Sequence, residues 1–151
     1  MKQKSWERKP GQFRRRRKGP LIAISDDEPT LLLLLASELE AEGYDVIALE
    51  DKRELLNKLN VIKPDAVITD IFSPGMDGFE FIKEAKENPL TKHIPIIAAS
   101  GSPDPPDRTQ MLKLGASDYI SKPYELGKIL DSLRRVLKHE PGSSGGKAGP
   151  T

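Results

Sequence analysis

Residues 64–82 of the chain are PDAVITDIFSPGMDGFEFI, and they contain one complete strand–loop–helix unit of the predicted fold. It contains a short run rich in β-branched residues at 66–69, then Asp70, then a loop with Pro and Gly, and then a segment with helical spacing. Short apolar runs of this kind are typical of strands that are buried on both faces of a parallel sheet. The stretch therefore predicts a buried strand, a polar strand end and a helix in succession.

The same unit occurs five times along the chain. The predicted strands are Leu21–Ser25, Asp45–Leu49, Ala66–Thr69, Ile96–Ser100 and Asp118–Ile120. The predicted helices are approximately Thr30–Glu42, Lys52–Asn60, Phe79–Asn88, Asp107–Leu114 and Glu125–Lys138. Five strand–helix repeats predict an α/β fold with a doubly wound, five-stranded parallel sheet flanked by five helices, and a crevice at the carboxyl ends of the strands.

Length and composition limit the size of the molecule and its environment. The 151 residues, 36% of them hydrophobic, are enough for one packed domain. The chain has no cysteine, which excludes disulfides and thiolate metal sites and fits a reducing compartment, so we expect a cytoplasmic protein. The longest apolar run, Leu31 to Ala36, is far shorter than the roughly 20 residues of a membrane span, so no membrane insertion is expected.

Charge is segregated along the chain although the formal net charge is only +1. Residues 1–20 carry nine basic side chains and one glutamate (+8), whereas the remaining residues carry fifteen basic and twenty-two acidic side chains (−7). The segment 1–20 has no helical or strand periodicity and is predicted to be a disordered basic arm, and the Gly- and Ser-rich residues 140–151 are predicted to be a flexible tail. The predicted globular domain is therefore 21–139.

Three carboxylates are predicted to meet at one edge of the sheet. Asp26 and Asp27 follow the first predicted strand, and Asp70 follows the third. Each of them alone is also typical of a turn or a helix cap. Together they would repel one another unless a cation lay among them, and an all-oxygen site suits Mg²⁺ or Mn²⁺. The sequence therefore favours a site for a divalent metal.

Two further polar residues end the remaining strands of the predicted edge. Ser100 ends the fourth strand, and Lys122 lies just after the fifth. A hydroxyl group and an ammonium beside a metal-bound carboxylate suit an anion with several oxygens, as in phosphoryl transfer. Taken singly, a serine bonded to the backbone and a solvated surface lysine are the alternative interpretations.

Four segments of the chain, in this order, resemble the signatures of response-regulator receiver domains. They are SDDEP at 25–29, the opening stretch 64–82, HIPIIAASG at 93–101 and GASDYISKP at 115–123. The spacing also fits, with thirty positions from Asp70 to Ser100 and twenty-two from Ser100 to Lys122. The resemblance covers residues 21 to 139. It implies a flavodoxin-like three-layer fold and a phosphoryl-accepting switch of a two-component phosphorelay, and not an enzyme that turns over a substrate.

The resemblance also implies a metal site and an acceptor. Asp70 would be the residue that takes the phosphoryl group. Asp26, Asp27 and Asp70 would hold Mg²⁺, with Mn²⁺ as the alternative ion, and the backbone carbonyl of Phe72 would complete the protein ligands.

Further roles follow from the same resemblance. Lys122 and the hydroxyl of Ser100 would bind phosphoryl oxygens, and the small Gly101 would leave room for them. Tyr119 would be the switch aromatic, whose ring turns inward as Ser100 moves toward the phosphoryl group. The bond between Lys122 and Pro123 would be a cis peptide.

The sequence is compatible with three classes of function, of which the first is the phosphoryl-accepting switch. The phosphodonor would be a sensor histidine kinase or a histidine phosphotransfer protein, and the target an unidentified downstream protein. A different class is binding of nucleic acid or an anionic surface through RRRRK at 14–18. A small phosphohydrolase is a third class, disfavoured because Phe72 stands where a second catalytic carboxylate would be expected. Only 12 residues follow His139, too few for an output domain, and whether the chain is a stand-alone regulator or part of a longer one is left open.

Phe72 also leads to a hypothesis about the lifetime of the signal. A large apolar ring two residues after the acceptor would crowd the approach of water to an acyl phosphate, which predicts slow self-dephosphorylation. The alternative is that the ring turns outward and contacts a partner.

Overall fold

The computed structural model describes residues 19–72, 75–101 and 105–137, without the side chains of Pro105 and Pro106. The predictions for residues 1–18 of the basic arm and for the tail at 140–151 lie outside these residues. The described strands are β1 (Leu21–Ser25), β2 (Asp45–Leu49), β3 (Ala66–Asp70), β4 (Ile96–Ser100) and β5 (Asp118–Ser121). The described helices are α1 (Pro29–Ala41), α2 (Lys52–Ile62), α3 (Gly78–Glu87), α4 (Pro105–Leu114) and α5 (Leu126–Leu137).

The five strands form one sheet in the order β2-β1-β3-β4-β5, and every pair is parallel. The predicted doubly wound, five-stranded parallel sheet with five helices is therefore confirmed. The chain changes winding direction between β1 and β3, which are neighbours in the sheet. Clefts at the carboxyl ends of strands form at such switch points. This topology brings the residues after β1 beside the end of β3.

Apolar side chains fill both faces of the sheet. Side chains alternate between the two faces along each strand. Along β1, Ile22 and Ile24 pack in a cluster with residues of α1 and α5, whereas Ala23 packs in a second cluster with residues of α2, α3 and α4. Full burial of one such aliphatic side chain contributes about 1.5–3 kcal/mol. The two clusters hold the helices on both faces and so fix the positions of the strand ends.

The ends of several elements differ from the predictions by one to two residues. Asp70 is the last residue of β3 and not the first residue after it, because it pairs with Ala99 of β4. Helix α2 continues to Ile62, and its cap Lys63 lies in the left-handed region at φ 52°. Pro64 follows, and a proline disfavours helical backbone in the residue before it. Within the described residues, no helix is long and apolar enough to cross a membrane.

Candidate metal and anion site at the carboxyl edge of the sheet

The three predicted carboxylates come together at the carboxyl ends of β1 and β3. One oxygen of each of Asp26, Asp27 and Asp70 lies within 4.8 Å of the others. Asp26 and Asp70 are both only 2% exposed, and Asp27 is exposed. Two buried anions and a third at the rim therefore share one small space, as the order of the strands requires.

Both oxygens of Asp26 have partners. Its Oδ1 accepts a hydrogen bond of 3.0 Å from the backbone N–H of Glu28. Its Oδ2 accepts one of 3.0 Å from the hydroxyl of Tyr124 and lies 3.0 Å from the Nζ of Lys122. Asp26 is thus anchored by the start of α1 and by the segment that follows β5.

Only one carboxylate oxygen of Asp70 has a partner among the described residues. Its Oδ1 lies 3.6 Å from the Nζ of Lys122, whereas its Oδ2 is buried and accepts no hydrogen bond from the described residues. Burial raises the pKa of Asp70, an effect that the Lys122 charge opposes and that the Asp26 charge reinforces. Because an unsatisfied buried oxygen is costly, this atom is open to a cation or a donor that completes it.

Lys122 lies between the two buried carboxylates. Burial alone would lower the pKa of Lys122, but its hydrogen bond with Asp26 and the charge of Asp70 outweigh burial and raise it. The backbone N–H of Lys122 donates to the carbonyl of Ser100 at 2.8 Å, which joins the end of β5 to the end of β4. The predicted cis bond between Lys122 and Pro123 is present.

The predicted phosphoryl-pocket and switch residues lie on the other side of the same edge. Ser100 is fully buried at the end of β4, and a Cβ placed on Gly101 would meet no atom of the described residues within 4 Å. The ring of Tyr119 is buried, and the guanidinium carbon of Arg108 lies 6.0 Å from its centroid. These positions agree with the predicted roles but do not test them.

Phe72 lies at the rim of the site. Phe72 is 53% exposed, and its ring packs edge-to-face on the ring of Phe79, with the ring centroids 6.2 Å apart and the ring planes at 65°. One part of the ring is therefore supported by the first turn of α3, and the rest faces outward.

The sequence analysis did not identify two residues of this site. Tyr124 holds Asp26, and its position two residues after Lys122 was a signal that could have drawn attention to it. Lys52 is 3% exposed and donates from Nζ to the carbonyl of Ile71 at 3.1 Å and to that of Met76 at 2.9 Å. Burial lowers the pKa of Lys52, and the charge of Asp70 opposes this. A lysine in the first turn of a polar helix gives no local signal of burial.

The residues of the acidic cluster fit a Mg²⁺ or Mn²⁺ ion. All of the side-chain ligands are carboxylate oxygens, which such hard cations prefer. The buried, unpartnered Oδ2 of Asp70 is the observation that shows the fit, since its desolvation is otherwise uncompensated. Asp26, Asp27, Asp70 and the backbone carbonyl of Phe72 are the groups that would hold the ion.

A doubly wound sheet with acids after β1, an acid at the end of β3 and a lysine after β5 defines the class of receiver-type α/β domains. The family model described as "Response regulator receiver domain" matches residues 22–134. The chain therefore belongs to the response-regulator receiver family, as the resemblance predicted.

Two of the relatives found by sequence are named as transcriptional regulatory proteins. The chain is 33% identical over 117 residues to the alkaline phosphatase synthesis transcriptional regulatory protein PhoP of Bacillus subtilis (strain 168), covering 78% of this chain and 48% of that protein. It is 30% identical over 117 residues to the phosphate regulon transcriptional regulatory protein PhoB of Escherichia coli (strain K12), covering 78% and 51%. The chain thus spans about half the length of these curated relatives.

Solved structures agree with this assignment. The chemotaxis protein CheY4 of Vibrio cholerae superposes with a TM-score of 0.73 at 29% identity, covering 78% of this chain and 98% of that one. The BeF3-activated N-terminal receiver domain of Klebsiella pneumoniae RstA gives a TM-score of 0.71 at 27% identity, covering 78% and 97%. The described fold is thus that of a complete receiver domain.

Proposed function

We propose that this chain is the phosphoryl-accepting switch of a two-component phosphorelay, with Asp70 as the acceptor in a Mg²⁺-dependent reaction. The observation that carries the proposal is the state of Asp70, a buried carboxylate with one oxygen held near Lys122 and the other unpartnered. The two oxygens of Asp70 have different surroundings, so one can contact the cation while the other forms the bond to phosphorus. Family membership supports the same role.

The phosphodonor is a phosphohistidine of a sensor histidine kinase or a histidine phosphotransfer protein. An oxygen of Asp70 forms a bond to phosphorus while the bond from phosphorus to the imidazole nitrogen breaks. That nitrogen leaves with the electron pair and can take up a proton. The product on this chain is an acyl phosphate, so the chain is an autocatalytic acceptor and not a turnover enzyme.

The residues around Asp70 supply the electrostatic support for this transfer. Mg²⁺, when bound, would neutralise part of the negative charge of the carboxylates and the incoming phosphoryl group. Lys122, whose Nζ is 3.6 Å from Asp70, is placed to balance charge on the phosphoryl oxygens. Gly101, which has no side chain, and the neighbouring Ser100 hydroxyl provide room and a donor on the side of β4.

The output of the switch is a change in binding of a partner protein. Ser100 and Tyr119 lie on the adjacent strands β4 and β5, so movement of the serine toward a phosphoryl group is linked to the aromatic ring at the α4–β5 surface. Phosphorylation then shifts an equilibrium between two arrangements of this surface. The partner protein is not identified, and the cytoplasmic location stays a prediction.

Incubation with acetyl phosphate and Mg²⁺, followed by intact-mass measurement, tests the proposal without a partner kinase. We expect one phosphoryl group per chain on wild type, none on Asp70→Asn, and none in excess chelator. Asp131→Asn, which removes an exposed carboxylate of α5 outside the site, is the matched control and should label like wild type. Equal labelling of Asp70→Asn, or full labelling in chelator, would overturn the assignment of Asp70 or of the metal.

A further inference from the structure

Lys52 is a buried charge that the proposed reaction does not use. Asp51 caps α2 by accepting hydrogen bonds from the backbone N–H groups of Arg53 and Glu54, so Lys52 is the first residue of the helix. A lysine at such a position normally extends into solvent. Here the residue is only 3% exposed, and its side chain lies inside the protein.

The ammonium of Lys52 joins the two ends of the loop that follows the acceptor. It donates to the carbonyl of Ile71, the residue directly after Asp70, and to the carbonyl of Met76, just before α3. The carbonyl of Ile71 also accepts a hydrogen bond of 3.0 Å from the backbone N–H of Gly78. The base of the loop is therefore closed by a backbone bond and reinforced from α2 by a charged donor.

The closure at Gly78 is tight. A Cβ at position 78 would lie 2.6 Å from the Cα of Ile71, a distance that no real side chain adopts, so glycine permits this approach. This close approach puts the Gly78 N–H within hydrogen-bond distance of the same Ile71 carbonyl that Lys52 contacts. Hydrogen bonds from a charged donor are stronger than those between neutral groups.

We propose that Lys52 is a positioning residue for phosphoryl acceptance: its ammonium ties the carbonyl of Ile71, directly after Asp70, to that of Met76 and so restricts movement of the adjoining Phe72 backbone. This inference rests on the proposed function, since the Phe72 carbonyl matters there only as a metal ligand. It also gives α2 a direct connection to the site. No charge pairing is needed for the role, because both acceptors are backbone carbonyls.

Three variants separate positioning from charge. Lys52→Met keeps the length of the side chain without a donor, and Lys52→Gln keeps a neutral donor. Lys83→Met removes the same charge from the exposed face of α3, where Lys83 pairs with Glu87 at 3.8 Å. Three measurements are made on each variant. They are hydrogen–deuterium exchange of the Gly78 amide without metal or phosphodonor, Mg²⁺ affinity by calorimetry, and the rate of labelling by acetyl phosphate.

We expect the Gly78 amide of Lys52→Met to exchange about tenfold faster than in wild type, in line with the loss of hydrogen bonds from a charged donor. Mg²⁺ binding should weaken several-fold and labelling should slow in parallel. Lys52→Gln should recover part of each loss, and Lys83→Met should behave like wild type. The sign of the Mg²⁺ effect is decisive, because loss of a positive charge alone would tighten binding of a cation.

Tighter Mg²⁺ binding in Lys52→Met, equal losses in the Gln and Met variants, or Gly78 exchange equal to that of Lys83→Met would each overturn the inference. If Lys52→Met does not fold, the comparison of Lys52→Gln with Lys83→Met decides, and indistinguishable results overturn it. If wild type takes no phosphoryl group, the proposed function fails. The exchange of the Gly78 amide would still decide whether Lys52 holds the loop.

Discussion

At the scale of single residues, Asp70 is a buried acid whose ionised form is poorly compensated. Its pKa is raised in the folded state by burial, so the ionised carboxylate lowers stability above its unfolded pKa of about 4, and this cost is absent at lower pH. We expect Asp70→Asn to raise the free energy of unfolding by about 1 kcal/mol at pH 7 without metal. This gain in the free energy of unfolding should shrink toward zero near pH 4. Urea unfolding in the presence of chelator measures it at both pH values.

The control for this effect is Asp27→Asn, which removes an exposed acid of the same cluster and should change stability less. A gain for Asp70→Asn that is the same at both pH values would contradict the role of ionisation.

Lys122 contacts both buried carboxylates, and its removal has two separable consequences. Lys122→Met removes a cation that competes with a metal for Asp26 and Asp70, so Mg²⁺ binding by calorimetry should be kept or tightened. Labelling by acetyl phosphate should slow by about 10²-fold, the usual cost of losing one electrostatic donor to a transition state. Lys128→Met, an exposed lysine of α5 paired with Glu125, is the matched control. Unchanged labelling of Lys122→Met would remove the lysine from the reaction.

Phe72 is predicted to prolong the lifetime of the acyl phosphate. Hydrolysis needs water in line with the phosphorus–oxygen bond, and an apolar ring can neither orient water nor leave much space for it. We expect Phe72→Asn to lose its phosphoryl group distinctly faster than wild type at the same Mg²⁺ concentration, followed by intact mass over time. Phe72→Leu keeps apolar bulk and should decay at a rate close to wild type. Equal or slower decay in the Asn variant would instead favour Phe72 as an exposed partner contact.

At the scale of elements, α5 is fastened to β5 through Asp118. The carboxylate of Asp118 accepts hydrogen bonds from the Ser132 hydroxyl at 2.6 Å, from the backbone N–H of Tyr119 at 2.8 Å and from the guanidinium of Arg135. Burial alone would raise the pKa of Asp118, but these hydrogen bonds outweigh it and hold the pKa below its ordinary value. The contacts connect the fifth helix to the strand that carries Tyr119, the predicted switch aromatic.

The pH dependence of this junction has the opposite sign to that of Asp70. Because the folded pKa is lowered, the stabilisation is complete above the unfolded pKa of about 4 and is lost as pH falls through the folded value. Asp118→Asn should therefore lower the free energy of unfolding by about 1–2 kcal/mol at pH 7, and by less as the solution is acidified. Asp131→Asn, on the exposed face of α5, is the control in the same denaturation series. A loss independent of pH would show that charge is not involved.

At the scale of the whole molecule, the chain consists of an acidic domain and a basic N-terminal segment. Gly19 and Pro20 belong with the domain in the structure, since the carbonyl of Pro20 accepts from the backbone N–H of Asp45 at 3.0 Å. Removal of residues 1–18 should therefore leave the labelling rate and the stability nearly unchanged. It should also abolish any salt-sensitive binding to DNA, RNA or anionic vesicles, because that attraction comes from the arginine run.

The salt-sensitive binding is measured by fluorescence anisotropy with labelled DNA at two salt concentrations, for the full chain and for the shortened chain. A variant with Arg14 to Arg17 replaced by Gln tests charge without changing length. A large loss of stability in the shortened chain would show that the segment packs on the domain. Equal binding by both chains would place any nucleic-acid site elsewhere.

The alternation of strands and helices and the acidic edge of the sheet could be predicted from the sequence. Buried parallel strands are continuous apolar runs, and their carboxyl ends meet at one edge, so Asp26, Asp70 and Lys122 could be placed together from local pattern alone. The predicted ends of the elements were less accurate. Strand pairing extends β3 to Asp70, and helix capping ends α2 at Lys63.

The groups that complete the site became visible once the packed structure was known. The Tyr124 hydroxyl reaches Asp26 across 98 positions of the chain, and the Lys52 ammonium reaches Ile71 and Met76 across 19 and 24. The unpartnered oxygen of Asp70 is likewise a property of everything packed around it. Local periodicity reports which face of an element is apolar, but a hydrogen bond requires distance and direction between distant residues, and these exist only once the helices have packed on the sheet.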